Sequence, residues 1–255
     1  MLHNIFSILF SILFLFGTTI EQGDALNQKA LRAMEAGNFN QAEQYWSELI
    51  QEFPENPAIW SNRGLARIGQ NKLPEALSDY NQAINIAPDA PDTYLNRGAV
   101  LEAQGKYTEA IADYNQLLKI QPEDAMGYNN RGNAETGLEH WQEALADYQK
   151  AAELDPRFAL ARINAALVQY QLGESDQALQ DLRNIVRKYP FFADARAALT
   201  AALWSQGLQG EAESNWVATI GLDSRYKDLD WVANVRRWPG KMVLAMEDFL
   251  KLRSS

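Results

Sequence analysis

The sequence predicts an all-α solenoid of repeated helix-turn-helix units followed by a C-terminal helical cap. Three observations carry this. First, Ala42, Ala76, Ala110, Ala144, Ala178 and Ala212 are each 34 residues apart, and Pro54, Pro88, Pro122, Pro156 and Pro190 keep the same spacing. So do the column Trp46, Tyr80, Tyr114, Tyr148, Leu182, Trp216 and the column Ala30, Gly64, Gly98, Gly132, Ala166, Thr200. A fixed period held without insertion is the signature of a repeat architecture. Second, each period contains two helical patterns of about 13 residues. A short polar break separates them: GNFN, QNKL, QGKY, LEHW, GESD and QGLQ in turn. Third, composition is that of a folded chain: 47% apolar and 22% charged residues, with only 9 Pro and 15 Gly in 255.

The first element is apolar. Ile5 to Phe16 reads IFSILFSILFLF, and no charged side chain precedes Glu21. A run this short suits the core of a signal peptide, and small residues at Gly23 and Ala25 frame a cleavage site that would leave Leu26 as the first mature residue. Residues 1–25 are therefore expected to be a signal peptide or an N-terminal anchor. The anchor alternative keeps residues 5–20 as a tilted span and gives the chain a membrane association. A buried helix of the fold is the third reading. The absence of a twin-Arg motif favours the general secretory route.

Six units follow, starting near residues 23, 57, 91, 125, 159 and 193, so the array fills residues 26–226. In the middle units WSNRGLA, YLNRGAV and YNNRGNA open the first helix, each followed by EAL or EAI and then DY. The pattern resembles the tetratricopeptide repeat (TPR): 34 residues, small at positions 8 and 20, aromatic at 24, small or apolar at 27 and Pro at 32. The resemblance implies a right-handed solenoid. The sixth unit departs from it, with Thr200 at 8, Thr219 at 27 and Ser224 in place of Pro. The small residue at 8 is expected to face the Ala at 20, because two helices approach within about 8–10 Å only over small side chains. The aromatic at 24 is expected to fill the space between neighbouring units. Pro at 32 ends the second helix, since it has no amide hydrogen. A single helix pair cannot bury its apolar face, whereas stacked pairs can.

Residues 227–255 leave the period. Helices are expected over 228–237 and 241–252, broken at Pro239-Gly240, with Met242, Val243, Met246, Phe249 and Leu250 on one side of the second. They cap the exposed end of the array or bind a partner. Charge changes sign here: residues 26–224 carry -11 and residues 225–255 carry +3. Arg236, Arg237 and Lys241 form the candidate basic patch, facing anionic lipid or an acidic partner, or pairing with the array itself. The order RY-x-D-x-x-WV-x-x-x-RRWP in residues 225–239 is similar to that of TPR proteins exported in cyanobacteria and found in plastid thylakoid lumens. It implies a thylakoid-lumen or periplasmic address.

The chain has no Cys and only His3 and His140, which removes thiolate and nearly all imidazole chemistry. No phosphate loop, clustered metal ligands or paired acid and base appears, so no enzyme, cofactor or metal is expected. A net charge of -10 disfavours nucleic acid. The expected work is protein binding by a monomer that holds an extended peptide or a helix, as a scaffold or as an assembly or chaperone-like factor for a photosynthetic membrane complex. By the resemblance, positions 2, 5, 6, 9, 12 and 13 of the first helix line a concave groove. Position 6 holds Asn62, Asn96, Asn130 and Asn164, and Asn129 and Asn133 stand beside them. A carboxamide donates and accepts at once, so it can pair both groups of a peptide backbone. The alternative for these Asn is a role within the helices. Some TPR domains clamp a terminal carboxylate of heat-shock chaperones with converging cations, but position 5 here carries no Lys. Arg63, Arg97 and Arg131 at position 7 are expected to pair with Asp79, Asp113 and Asp147 at position 23, and Ala165 leaves Asp181 without that partner. A small-ligand solenoid is the rival of another class and needs an aromatic pocket, with Trp204 and Trp231 as candidates. Mass spectrometry of the mature protein should find Leu26 at the N-terminus; intact Met1 in purified membranes would show that the leader is retained.

Overall fold

The computed structural model describes residues 21–251, so the expectations over residues 5–20 lie outside it. Among the described residues there are helices and no strand. The chain divides into two compact units, one ending at Gln104 and one beginning at Gly105. The first holds α1 (described over residues 21–35), α2 (Phe39–Glu52), α3 (Pro57–Gly69), α4 (Leu73–Ile86) and α5 (Pro91–Ala103). The expected cleavage site falls inside α1, where Gly23 packs on the ring of Phe53. The second unit holds α6 (Tyr107–Ile120), α7 (Ala125–Gly137), α8 (Trp141–Leu154), α9 (Ala159–Leu172), α10 (Ser175–Lys188), α11 (Ala193–Ser205) and α12 (Gln209–Leu222). A 3-10 turn (Ser224–Lys227), α13 (Leu229–Asn234) and α14 (Gly240–Lys251) complete it. Within each unit, helices consecutive in the sequence pack against one another.

The local signals explain the helix ends. Pro57 and Pro91 sit in the first turn, where a missing amide hydrogen is harmless. Asn56 caps α3 through the amide of Ala58, and Asp124 caps α7 through that of Gly127. The turn between the two helices of a unit needs one residue with positive φ. That residue is at position 15 every time: Gly37, Asn71, Gly105, Glu139, Gly173 and Gly207. Glycine adopts this conformation freely, and Glu139 adopts it at φ 61° against the repulsion of its own Cβ. The cap helix α13 is shorter than expected: it stops at Asn234, and the chain then turns through a left-handed Arg237 at φ 53° ahead of Pro239.

The Ala column at position 20 is buried completely, from Ala42 and Ala76 in the first unit to Ala110, Ala144, Ala178 and Ala212 in the second. A Cβ added to Gly64 would meet the ring of Tyr80 at 3.0 Å, and one added to Gly132 would meet that of Tyr148 at 2.9 Å. At Gly64 and Gly132 the small residue at position 8 thus makes room for the position-24 ring of its own repeat. A second fit joins neighbours. Gly69 at position 13 receives the ring of Phe39 from the preceding repeat, and Gly137 receives that of Tyr107. A Cβ at either glycine would stand 2.6 Å from a ring atom.

Polar stitches run alongside. Arg63 forks onto Asp79 of its own repeat (3.0 and 2.7 Å) and reaches back to Ser47 of the preceding one (3.2 Å). Arg131 repeats this with Asp147 (2.8 and 2.6 Å) and Asn115 (2.7 Å). Arg97 donates to Asn81 at 2.7 Å. Each guanidinium also stacks on the position-4 ring, Trp60, Tyr94 or Tyr128, at 4.9 to 5.8 Å. Trp60 and Tyr94 in turn donate to the carbonyls of Pro54 and Pro88, and Arg196 does the same to Pro190 in the last repeat. These arginines are structural. In the fifth repeat Ala165 replaces the cation, and Asp181 accepts from Gln177 at 3.1 Å.

The first unit adds a denser network. Glu43 accepts from Arg67 (2.9 Å), Lys72 (2.7 Å) and Gln70 (2.9 Å), and Arg67 also reaches Asp79 at 2.8 Å. Burial alone would raise the Glu43 pKa; the bonds from Lys72, Arg67 and Gln70 outweigh it and bring it from 4.5 to about 2. A carboxyl held below its ordinary range stabilises the fold fully above that range and loses the effect as pH falls through its folded value. Denaturant unfolding should therefore show wild type losing stability between about pH 4.5 and 2. Glu43→Gln, less stable at pH 7, should be flatter across that window; parallel curves would refute the network's role. Glu139→Gly should raise stability by about 1 kcal/mol, by relieving the left-handed turn. An unchanged or lower melting temperature would show that the turn is unstrained.

Candidate functional site

The inner-face asparagines meet two different environments. In the first unit Asn62 on α3 and Asn96 on α5 are half-buried, and neither holds a side-chain hydrogen bond among the described residues. Their surroundings are fixed. Ser61 Oγ lies 3.1 Å from Thr93 Oγ1, joining α3 to α5, and Asn27 on α1 accepts from Trp46 Nε1 at 3.1 Å. The two carboxamides therefore stand on braced helices with donors and acceptors unused. Position 9 places Leu65 and the exposed Ala99 one turn further along.

In the second unit the carboxamides bond to each other. Asn164 Nδ2 donates to Asn129 Oδ1 (3.2 Å) and lies 3.5 Å from Asn133 Oδ1; Asn129 Nδ2 donates to Asn130 Oδ1 at 3.3 Å. Tyr148 donates to Asn133 at 2.9 Å. Asn129 is buried, and this group ties α7 to α9. The sequence pattern treats all four position-6 asparagines alike. The difference comes from Asn129 and Asn133, which supply amide partners in repeat four; their counterparts in repeats two and three are Ser61, Leu65, Leu95 and Ala99.

The basic end is engaged by the chain itself. Arg236 forks onto Asp194 on α11 at 2.8 and 2.6 Å, and the hydroxyl of Tyr226 donates to the same carboxylate. Asp194 is buried, so these donors supply what water no longer does. Burial beside Asp194 pushes the Tyr226 pKa up, which keeps the phenol a donor. Trp231 packs edge-on against Tyr226 and lies under Arg225 and Arg236. Lys241 donates from both its amide and its Nζ to Gln171 on α9, at 2.9 and 2.7 Å. Arg237 is half-buried at the left-handed corner. Arg236 and Lys241 thus fasten the cap to the array. Asp194 as the anchor of Arg236 was missed by sequence reasoning; an acid opening α11 reads as an ordinary first-turn residue. Of the two candidate tryptophans, Trp204 packs on Phe249 of α14 (centroids 5.3 Å apart), and Trp231, itself in α13, packs on Tyr226.

His140 sits exposed before α8 and pairs with Glu135 at 2.8 Å. Among the described residues no group of three or more His, Asp and Glu is placed to hold a metal. No described helix is long and apolar enough to cross a membrane.

Comparison with known proteins agrees with this architecture. Family models described as TPR repeat and tetratricopeptide repeat match residues 66–105, 101–137, 125–158 and 161–191. A solved tetratricopeptide repeat protein from Parabacteroides merdae is similar over 92% of this chain and 100% of its own, at 19% identity and a TM-score of 0.72. MamA from Desulfovibrio magneticus is similar over 65% of this chain and 93% of its own, at 19% identity and a TM-score of 0.61. YrrB, described as a TPR protein with an unusual peptide-binding site, is similar over 80% of this chain and 97% of its own, at 21% identity and a TM-score of 0.59. No curated protein matches the chain by sequence. The structural likenesses establish the fold, and with the matched repeats they show that over residues 66–191 the chain is built of tetratricopeptide repeats.

Proposed function

We propose that the chain is a protein-binding scaffold whose first unit holds an extended segment of a partner. The observation that carries this is the pair Asn62 and Asn96, one repeat apart on braced helices, with no side-chain bond inside the fold. A half-buried carboxamide without a partner is a group prepared for one, and two of them at a fixed repeat spacing match a backbone rather than a single side chain. The peptide-binding description of YrrB, a protein of the same fold, supports the reading. Asn130 and Asn164 are bonded to neighbouring amides and serve as spacers between α7 and α9 in this view.

The finer reading is that the protein works after export, in a thylakoid lumen or periplasm, and helps assemble a membrane complex. The apolar leader and the tail order of residues 225–239 support it. If the leader stays, the same scaffold is tethered to the membrane by residues 5–20. Crosslinking capture from the native membrane fraction names the partner. With that partner in hand, Asn62→Ala with Asn96→Ala should weaken its binding about tenfold, the worth of one or two hydrogen bonds. The melting temperature should stay within about 2 °C, since neither side chain bonds within the fold. Unchanged affinity would remove the first unit's carboxamides from the site.

A further inference from the structure

Inner-face positions of the second unit also differ along their length. On α7, Asn130, Asn133 and Thr136 are half-buried. At the matching positions of α9 and α11, Asn164 and Trp204 are half-buried, whereas Leu167, Tyr170, Ala198 and Ala201 are buried. These buried residues share one core with Met242, Met246 and Phe249 of α14, which packs chiefly on α11 and α9. A helix opening a seventh repeat would sit on the second helix before it, as α9 sits on α8 and α11 on α10. Helix α14 instead lies mainly across the first helices of two repeats, α9 and α11, with Phe249 also edge-on to Trp216 of α12.

The cap has two parts, held differently. Residues 224–236 are fastened through the buried carboxylate of Asp194. Residues 235–239 then lie outside any helix, with Arg237 at positive φ, and α14 starts anew at Gly240. Its seat is made by thioethers and an aromatic ring at i, i+4 and i+7, preceded by the exposed hook from Lys241 to Gln171. Unbranched methionines adapt to more than one surface, and anchors at this spacing are how a helix lies in a groove.

We propose that the inner face of α9 and α11 is a site for an amphipathic helix. The chain fills it with its own α14, a releasable strap. The occupant that displaces it is a partner helix with apolar anchors at i, i+4 and i+7 and a cation just before the first. The site rests on α9, α11 and α14, with Trp216 of α12 beside Phe249, so it stands or falls separately from Asn62 and Asn96. A fluorescein-labelled peptide of residues 238–251 is titrated into the full chain and into its Met246→Asp variant, whose own strap cannot seat. The variant should stay helical, unfold cooperatively and bind the peptide one to one, at least about tenfold more tightly than wild type does. Loss of cooperative unfolding in the variant, or a folded variant that binds no better than wild type, would overturn the proposal. Hydrogen exchange on the unmodified chain gives an independent readout. The amides of α14 should exchange at least about tenfold faster than those of α11, and equal protection would show that the two open only together.

Discussion

Everything in both units depends on how closely two helices can approach. At position 20 only a methyl group fits, and the fold provides one in each repeat, fully buried. That contact fixes the helix separation, which in turn fixes where the position-24 ring lands: on a glycine in its own repeat at Gly64 and Gly132. Protein interiors are packed near crystal density, so a larger residue at either place moves a helix rather than filling a gap. The arginine stitches come second. They reach Ser47 or Asn115 in the preceding repeat only because the helices are already close, and they set orientation more than stability.

The fold was legible because these contacts leave a column in the sequence. Ala at 20, the ring at 24 and Pro at 32 recur every 34 residues, since each repeat solves the same packing problem. The site was less legible, and for a definite reason. Periodicity reports what repeats share, whereas Asn62 and Asn130 differ through neighbours that are not periodic. Whether a carboxamide is unpaired depends on positions 5 and 9 of its own repeat and position 6 of the next, and those change from Ser and Leu to Asn along the chain. Charge gave a similar difficulty. Arg236 and Lys241 read as a free basic patch because their acceptors, Asp194 and the Gln171 carbonyl, lie 42 and 70 residues away. Glu139 hid the turn residue for the opposite reason, being an ordinary side chain in a conformation that usually selects glycine.

Taken together, the inner faces present two kinds of surface. The first unit carries Asn62 and Asn96, half-buried and without a side-chain hydrogen bond among the described residues. The far end of the second offers an apolar face already under a helix. Between them in the sequence, the amides of α7 and α9 satisfy one another. On the two proposals, recognition divides by chemistry: hydrogen bonding in the first unit and apolar contact in the second.

The rings of Phe39 and Tyr107 extend the point to evolution and design. Each needs a glycine at position 13 of the repeat that follows, Gly69 or Gly137. The fit is specific to these pairs, since Trp141 at position 17 of the fourth repeat is followed by Gln171 at position 13 of the fifth. The units of this array are therefore not interchangeable beads. Deleting or transplanting one member of either pair alone separates a knob from its hole, so these two pairs tie repeat order to packing.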